Sequence, residues 1–97
     1  MVDKEQQERL IRELEKSLEA DLLSRHGPVM TGEALYTALG YVSKAAFSQS
    51  LVRKTVPVPV FELEHRRGKF ALVKDIAHYL AERRYKDIVG DQSKSDQ

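Results

Sequence analysis

Cysteine is absent from the chain, which excludes disulfides, thiolate metal sites and thiol nucleophiles together and fits a reducing compartment. Long apolar runs are absent too. No uncharged stretch approaches the roughly 18 apolar residues that a membrane span needs. The opening Met1-Val-Asp-Lys-Glu-Gln-Gln offers neither a secretory core nor an Arg-rich transit sequence, so a cytoplasmic protein with no membrane association is expected. Proline and glycine are scarce, at three and five, and where they fall they punctuate. No sign of charge dominates, with 16 Lys and Arg against 15 Asp and Glu. What remains is an ordinary globular composition in 97 residues, 41% hydrophobic and 32% charged, enough for one core.

The balanced charge conceals a segregation. Residues 1–24 carry four basic and seven acidic side chains, residues 25–70 carry seven and three, and residues 71–97 carry five of each. An acidic arm precedes a basic body, and a basic face attracts polyanions through its long-range field.

Between Asp3 and Ser24 there is no Gly or Pro, and Leu10, Ile11, Leu14, Leu18 and Leu22 recur at spacings of three and four, which predicts a long amphipathic helix. Its apolar stripe can pack on the body or on a second copy. Because the helix would outreach a domain of this size, dimerisation is the expectation, although Asp21 interrupts the heptad pattern of Ile11, Leu14 and Leu18. Gly27-Pro28 ends it. A short helix is predicted from an N-cap at Thr31 to Leu39, broken by Gly40, and a third from an N-cap at Ser43 to Lys54. On the third, Ala46, Phe47, Ser50 and Leu51 share one face, and Lys44, Ala45, Ser48, Gln49 and Val52 the other.

After Thr55 the period changes to two. Pro57 and Pro59 restrict Val56–Val60 to an edge or an extended lead-in. A hairpin is predicted from Val60–Glu64 and Lys69–Val73, with Phe70 and Leu72 facing inward and a cationic turn at His65-Arg66-Arg67-Gly68. A last helix, Lys74 to Val89, should pack through Ile76, Tyr79, Leu80 and Arg83, with Asp75 as its cap. The fold class is therefore mostly α with a β-hairpin. It divides into an arm at 1–24, a winged helix-turn-helix body at 25–89 and a polar tail at 90–97.

That order of elements carries a chemical expectation. A helix that enters the major groove needs slim outward residues, side chains that reach base edges and flanking cations for phosphates. Ser43, Lys44, Ser48 and Gln49 meet the first two needs, and Arg53 and Lys54 the third. Arg66, Arg67 and Lys69 would reach a neighbouring groove or the backbone. Tyr36, Tyr41 and Tyr79 read as aromatics at the rim of the core. His26, His65 and His78 lack metal-ligand spacing and are read as having no acidic partner at i,i+3 or i,i+4, and no nucleophile elbow or phosphate loop is present, so no metal, cofactor, small-molecule substrate or catalysis is expected.

Ser43-Lys-Ala-Ala-Phe, Arg53-Lys54, Val56-Pro-Val-Pro-Val60, Arg66-Arg67 with Phe70, and Asp75-Ile-Ala-His-Tyr-Leu-Ala-Glu-Arg-Arg84 together resemble small winged-helix proteins of the excisionase, AlpA-type and MerR-like superfamily. The Pro-x-Pro segment after the recognition helix is similar to pyocin-activator-type phage regulators. The resemblance spans Gly27 to Arg84. It implies a non-catalytic protein that binds double-stranded DNA and regulates transcription or assists recombination of a mobile element. It places Ser43, Lys44, Gln49 and Arg53 on the recognition helix and Arg66, Arg67 and Lys69 on the wing. The acidic N-terminal helix has no counterpart in minimal excisionases. The competing expectation is an interaction adaptor that uses this amphipathic helix to bind a protein partner.

Overall fold

A computed structural model describes residues 4–89. The polar tail expected at 90–97 lies outside them. In chain order the elements are helix α1 (Lys4–His26), strand β1 (Val29–Thr31), helix α2 (Gly32–Ala38), helix α3 (Lys44–Arg53), strand β2 (Phe70–Leu72) and helix α4 (Val73–Val89). The molecule is mostly helical, with one two-stranded antiparallel sheet. No helix among the described residues is long and apolar enough to cross a membrane.

The sheet departs from the expected hairpin. β2 pairs with β1, in the register Val29 to Leu72, Met30 to Ala71 and Thr31 to Phe70, so the partner of the returning strand comes from the other side of two helices. The Val60–Glu64 arm contributes a single bridge, in which Phe61 and Phe70 exchange both backbone hydrogen bonds at 2.9 and 2.8 Å. Pro57 and Pro59 leave the preceding segment without ladder donors, and pairing starts only beyond them. Val58 is buried between half-buried Val56 and Val60, so the segment packs through alternate residues without pairing. β1 escaped sequence reading because three residues between Pro28 and a helix are too few to show a period.

The facing of β2 differs as well. Leu72, expected inside, is 39% exposed, whereas Ala71 is fully buried opposite Met30. Phe70 is buried beside its bridge partner. In so short a strand the cross-strand neighbour decides which residues are covered, and β1 covers Ala71.

Met30, Leu35, Leu39, Phe47, Val58, Ala71, Val73 and Ile76 form the core, joining β1, α2, α3, β2 and α4. α2 ends as expected at Gly40, whose φ of 95° and N–H bond to the Thr37 carbonyl, with Tyr41 N–H on the Tyr36 carbonyl, close a left-handed helix terminus that favours glycine. Thr31 starts α2 without capping it through its side chain. Instead its hydroxyl donates to the Lys69 carbonyl at 2.6 Å and ties the start of α2 to the chain just before β2. Asp75 lies within the first turn of α4, where its charge complements the helix dipole, and is not the cap. Arg83, expected on the packing side, is exposed. Fully buried Ala77 and Ala81 are the small residues of α4 that permit close approach.

The element packed most extensively on α4 is α1. The Leu10 to Leu22 stripe is half-buried along its length, and Leu22 reaches the core cluster. A polar clamp marks the crossing. His78 Nδ1 lies 3.0 Å from Glu15 Oε1, and its Nε2 lies 3.4 Å from Glu82 four residues on. The pairing with Glu82 corrects the expectation that no histidine has an acidic partner at i,i+4, since one helical turn brings residues 78 and 82 together. The hydrogen bond to Glu15, opposed by slight desolvation and aided by the charges of Glu15, Glu82 and Asp75, raises the His78 pKa above its ordinary 6.5. A raised folded-state pKa contributes stability that is fully present below about pH 6.5 and is lost as pH rises through the folded value. The chain should therefore melt at a higher temperature at pH 6 than at pH 8, and His78→Gln, which keeps a hydrogen-bonding group without its titration, should narrow that difference. An unchanged difference in the variant would remove His78 from the account.

Candidate nucleic-acid interface

α3 is held from both ends. Ala46 N–H donates to Ser43 Oγ at 3.1 Å, with Ser43 in extended backbone, so this N-cap forms as its sequence demands. Ser43 is half-buried and its oxygen accepts this bond, which leaves its hydroxyl proton and one lone pair for a ligand. Phe47 anchors the helix in the core, with ring centroids 6.1 Å from Tyr36 and 5.5 Å from Tyr41. Ser50, the buried polar residue of the helix, has its Oγ 2.7 Å from both Tyr41 OH and Thr55 Oγ1. This small network fixes the roll of α3 about its axis, since rotation would strand a buried hydroxyl.

With Phe47 and Ser50 inward, Lys44, Ala45, Ser48, Gln49, Val52 and Arg53 are all exposed, the division that helical spacing predicts. Lys54 follows at φ 61°, ψ 42°, and its N–H and that of Thr55 bond back to Leu51 and Ser50 carbonyls. It occupies the left-handed terminal position where glycine is usual. Lys54→Gly should thus stabilise the fold by about 0.5–1 kcal/mol in urea titration, through relief of the left-handed Cβ penalty. Any ligand that uses the Lys54 cation would be bound more weakly by the same variant. A destabilised Lys54→Gly chain would contradict the strain argument.

The loop expected as a wing turns two residues earlier than expected, from Leu63 to Arg66, with the Arg66 N–H on the Leu63 carbonyl at 3.0 Å and His65 at φ 64°. Arg66 is exposed at the end of this turn and Arg67 just after it. Lys69 is not a free cation. Its Nζ donates to Glu62 Oε2 at 2.9 Å, and that hydrogen bond and charge hold the Glu62 carboxyl below its ordinary range. Glu62 thereby offsets part of the positive charge at the base of this loop.

Between the wing, the start of α2 and the outer flank of α3 lies a groove of about 590 Å³. Lys44 and Ser48 line it from α3, Arg67 and Lys69 from the wing, and Tyr36, Phe47 and Leu51 form its floor, with Glu33 as an acidic member. Two residues from each of the two groups singled out from sequence thus share one concavity. Ser43, Gln49, Arg53, Lys54 and Arg66 do not line it. Gln49 and Arg53 are exposed farther round α3, and Arg66 is exposed at the end of the Leu63–Arg66 turn. One signal was available and passed over: no acidic residue occurs between Glu33 and Glu62, a 28-residue span that contains all of α3. The Thr31 to Lys69 bond was not legible, because it joins residues 38 apart. Among the described residues, no group of three His, Asp or Glu is placed to hold a metal ion.

No family model, no curated protein and no solved structure matches the chain.

Proposed function

We propose that the chain is a winged helix-turn-helix protein that binds double-stranded DNA sequence-specifically and acts without catalysis, as a transcriptional regulator or recombination accessory factor of a mobile element. The observation that carries this reading is the common groove of Lys44 and Ser48 from α3 with Arg67 and Lys69 from the wing. The order α1, β1, α2, α3, wing, β2 supports it, since α3 follows α2 through a tight turn and the wing returns into the sheet. The mobile-element setting rests on the sequence resemblance alone. An adaptor that offers the α1 stripe to a partner is less well supported, because that stripe already lies against α4, and the same packing leaves a second copy only the α1 surface outside the stripe.

Dimerisation through α1 belongs to the same proposal. No α1 residue is fully buried, and Leu23 is 42% exposed, so apolar surface remains for a second copy. Two copies would raise avidity and read symmetric half-sites. The test is a mobility shift on mixed genomic fragments at moderate salt. The reading expects a retarded complex that survives a large excess of nonspecific polymer, since specific sites are typically bound about 10³-fold or more tighter than bulk DNA. Absence of a complex, or its loss at equal mass of competitor, would refute it.

A further inference from the structure

The flank of α3 that faces the groove is polar, but the centre of its exposed face is not. At about 100° per residue, Ala45, Gln49 and Val52 fall within an arc of roughly 60°, opposite the buried Phe47 and Ser50. Lys44 and Ser48 lie on one side of this strip and Arg53 on the other. Val52 is 81% exposed, so the most outward part of the helix carries a polar amide between two aliphatic side chains, ringed by cations.

We infer that this strip reads A·T base pairs in the major groove, with the Gln49 amide on an adenine edge and the methyl groups of Ala45 and Val52 against the C5-methyls of neighbouring thymines. The inference deepens the DNA-binding proposal and rests on it. The thymine methyl is the apolar feature of the major groove that a valine can cover, and a G·C pair offers none. The strip advances about 10 Å along the helix, close to three base-pair steps of roughly 3.4 Å. Its surroundings match a duplex better than a protein. Lys44, Arg53 and Lys54 can take phosphates, α3 has no acidic side chain, and protein interfaces are depleted of lysine.

The experiment begins with selection of sites from a random duplex library by the full chain, followed by replacement of each thymine in the selected site, one at a time, with deoxyuridine. Removing a covered methyl should weaken wild-type binding about three- to five-fold at one or more positions. At one of those positions Val52→Ala should bind the thymine and uracil duplexes equally. Gln49→Ala should relax the preference for adenine next to it. Val52 lies in solvent, so its truncation should leave the melting temperature unchanged. A selected site without A·T pairs, equal binding of thymine and uracil duplexes throughout, or a uracil penalty fully retained at every position by Val52→Ala would overturn the inference while leaving DNA binding intact. Failure to select any site, with no complex formed, would overturn both.

Discussion

If the proposed function holds, Arg66→Ala with Arg67→Ala should lower affinity for every duplex alike and flatten the slope of log K against log salt by about 1.8, at 0.9 per contact with one phosphate held by each arginine. At 0.1 M salt the loss should be on the order of 10- to 100-fold, shrinking as salt rises. Both side chains are exposed at the end of and just after the Leu63–Arg66 turn, so the double variant should fold as the parent does. Their effect should also exceed that of Lys69, whose charge is already partnered by Glu62. Salt titrations of both proteins on a specific and a scrambled duplex check the prediction. An unchanged slope would take the wing out of the interface, whereas a loss on one sequence alone would make the arginines readers of bases.

Leu35→Ala should destabilise the fold by about 3 kcal/mol, within the 2–5 kcal/mol usual for a leucine truncated in a packed core. Leu35 is the buried residue of α2, fully covered, and α2 has only seven residues to hold it in place. For a domain of this size that loss corresponds to a fall in melting temperature of roughly 12–24 °C. The consequence reaches the interface. Tyr36 on the same helix packs on Phe47 and helps floor the groove, so a loosened α2 deprives α3 of one of its supports. Calorimetry on Leu35→Ala beside Val52→Ala makes the comparison, since the exposed valine should change stability by less than about 0.5 kcal/mol. A fall of only a degree or two for Leu35→Ala would mean that α2 is held by something other than this side chain.

The helices were legible wherever a stop signal met a clear period. Gly27-Pro28, Gly40 and Ser43 bound α1, α2 and α3 within about two residues, and the two faces of α3 followed from spacing alone. Long-range pairing was not. β1 is three residues long, and its partner lies about forty positions away, so local pattern held no trace of it. The same gap hid the second duty of Thr31, whose hydroxyl serves the chain just before β2 instead of its own helix. Of the nine residues chosen as DNA contacts, four line the groove, namely Lys44, Ser48, Arg67 and Lys69. Ser43 is committed to capping, and Lys54 stands in a strained helix terminus. The pairing of Lys69 with Glu62 could have been suspected from period-two spacing across a turn, but the position of the turn had to be known first.

The account turns on α3 and the wing meeting the same duplex. Amide chemical-shift mapping of the full chain, titrated with a selected duplex, reads this directly. The largest changes should fall at residues 43–54 and 65–69, with the outer face of α1 quiet. Changes confined to α1 and α4, or a response of α3 with a silent wing, would contradict it.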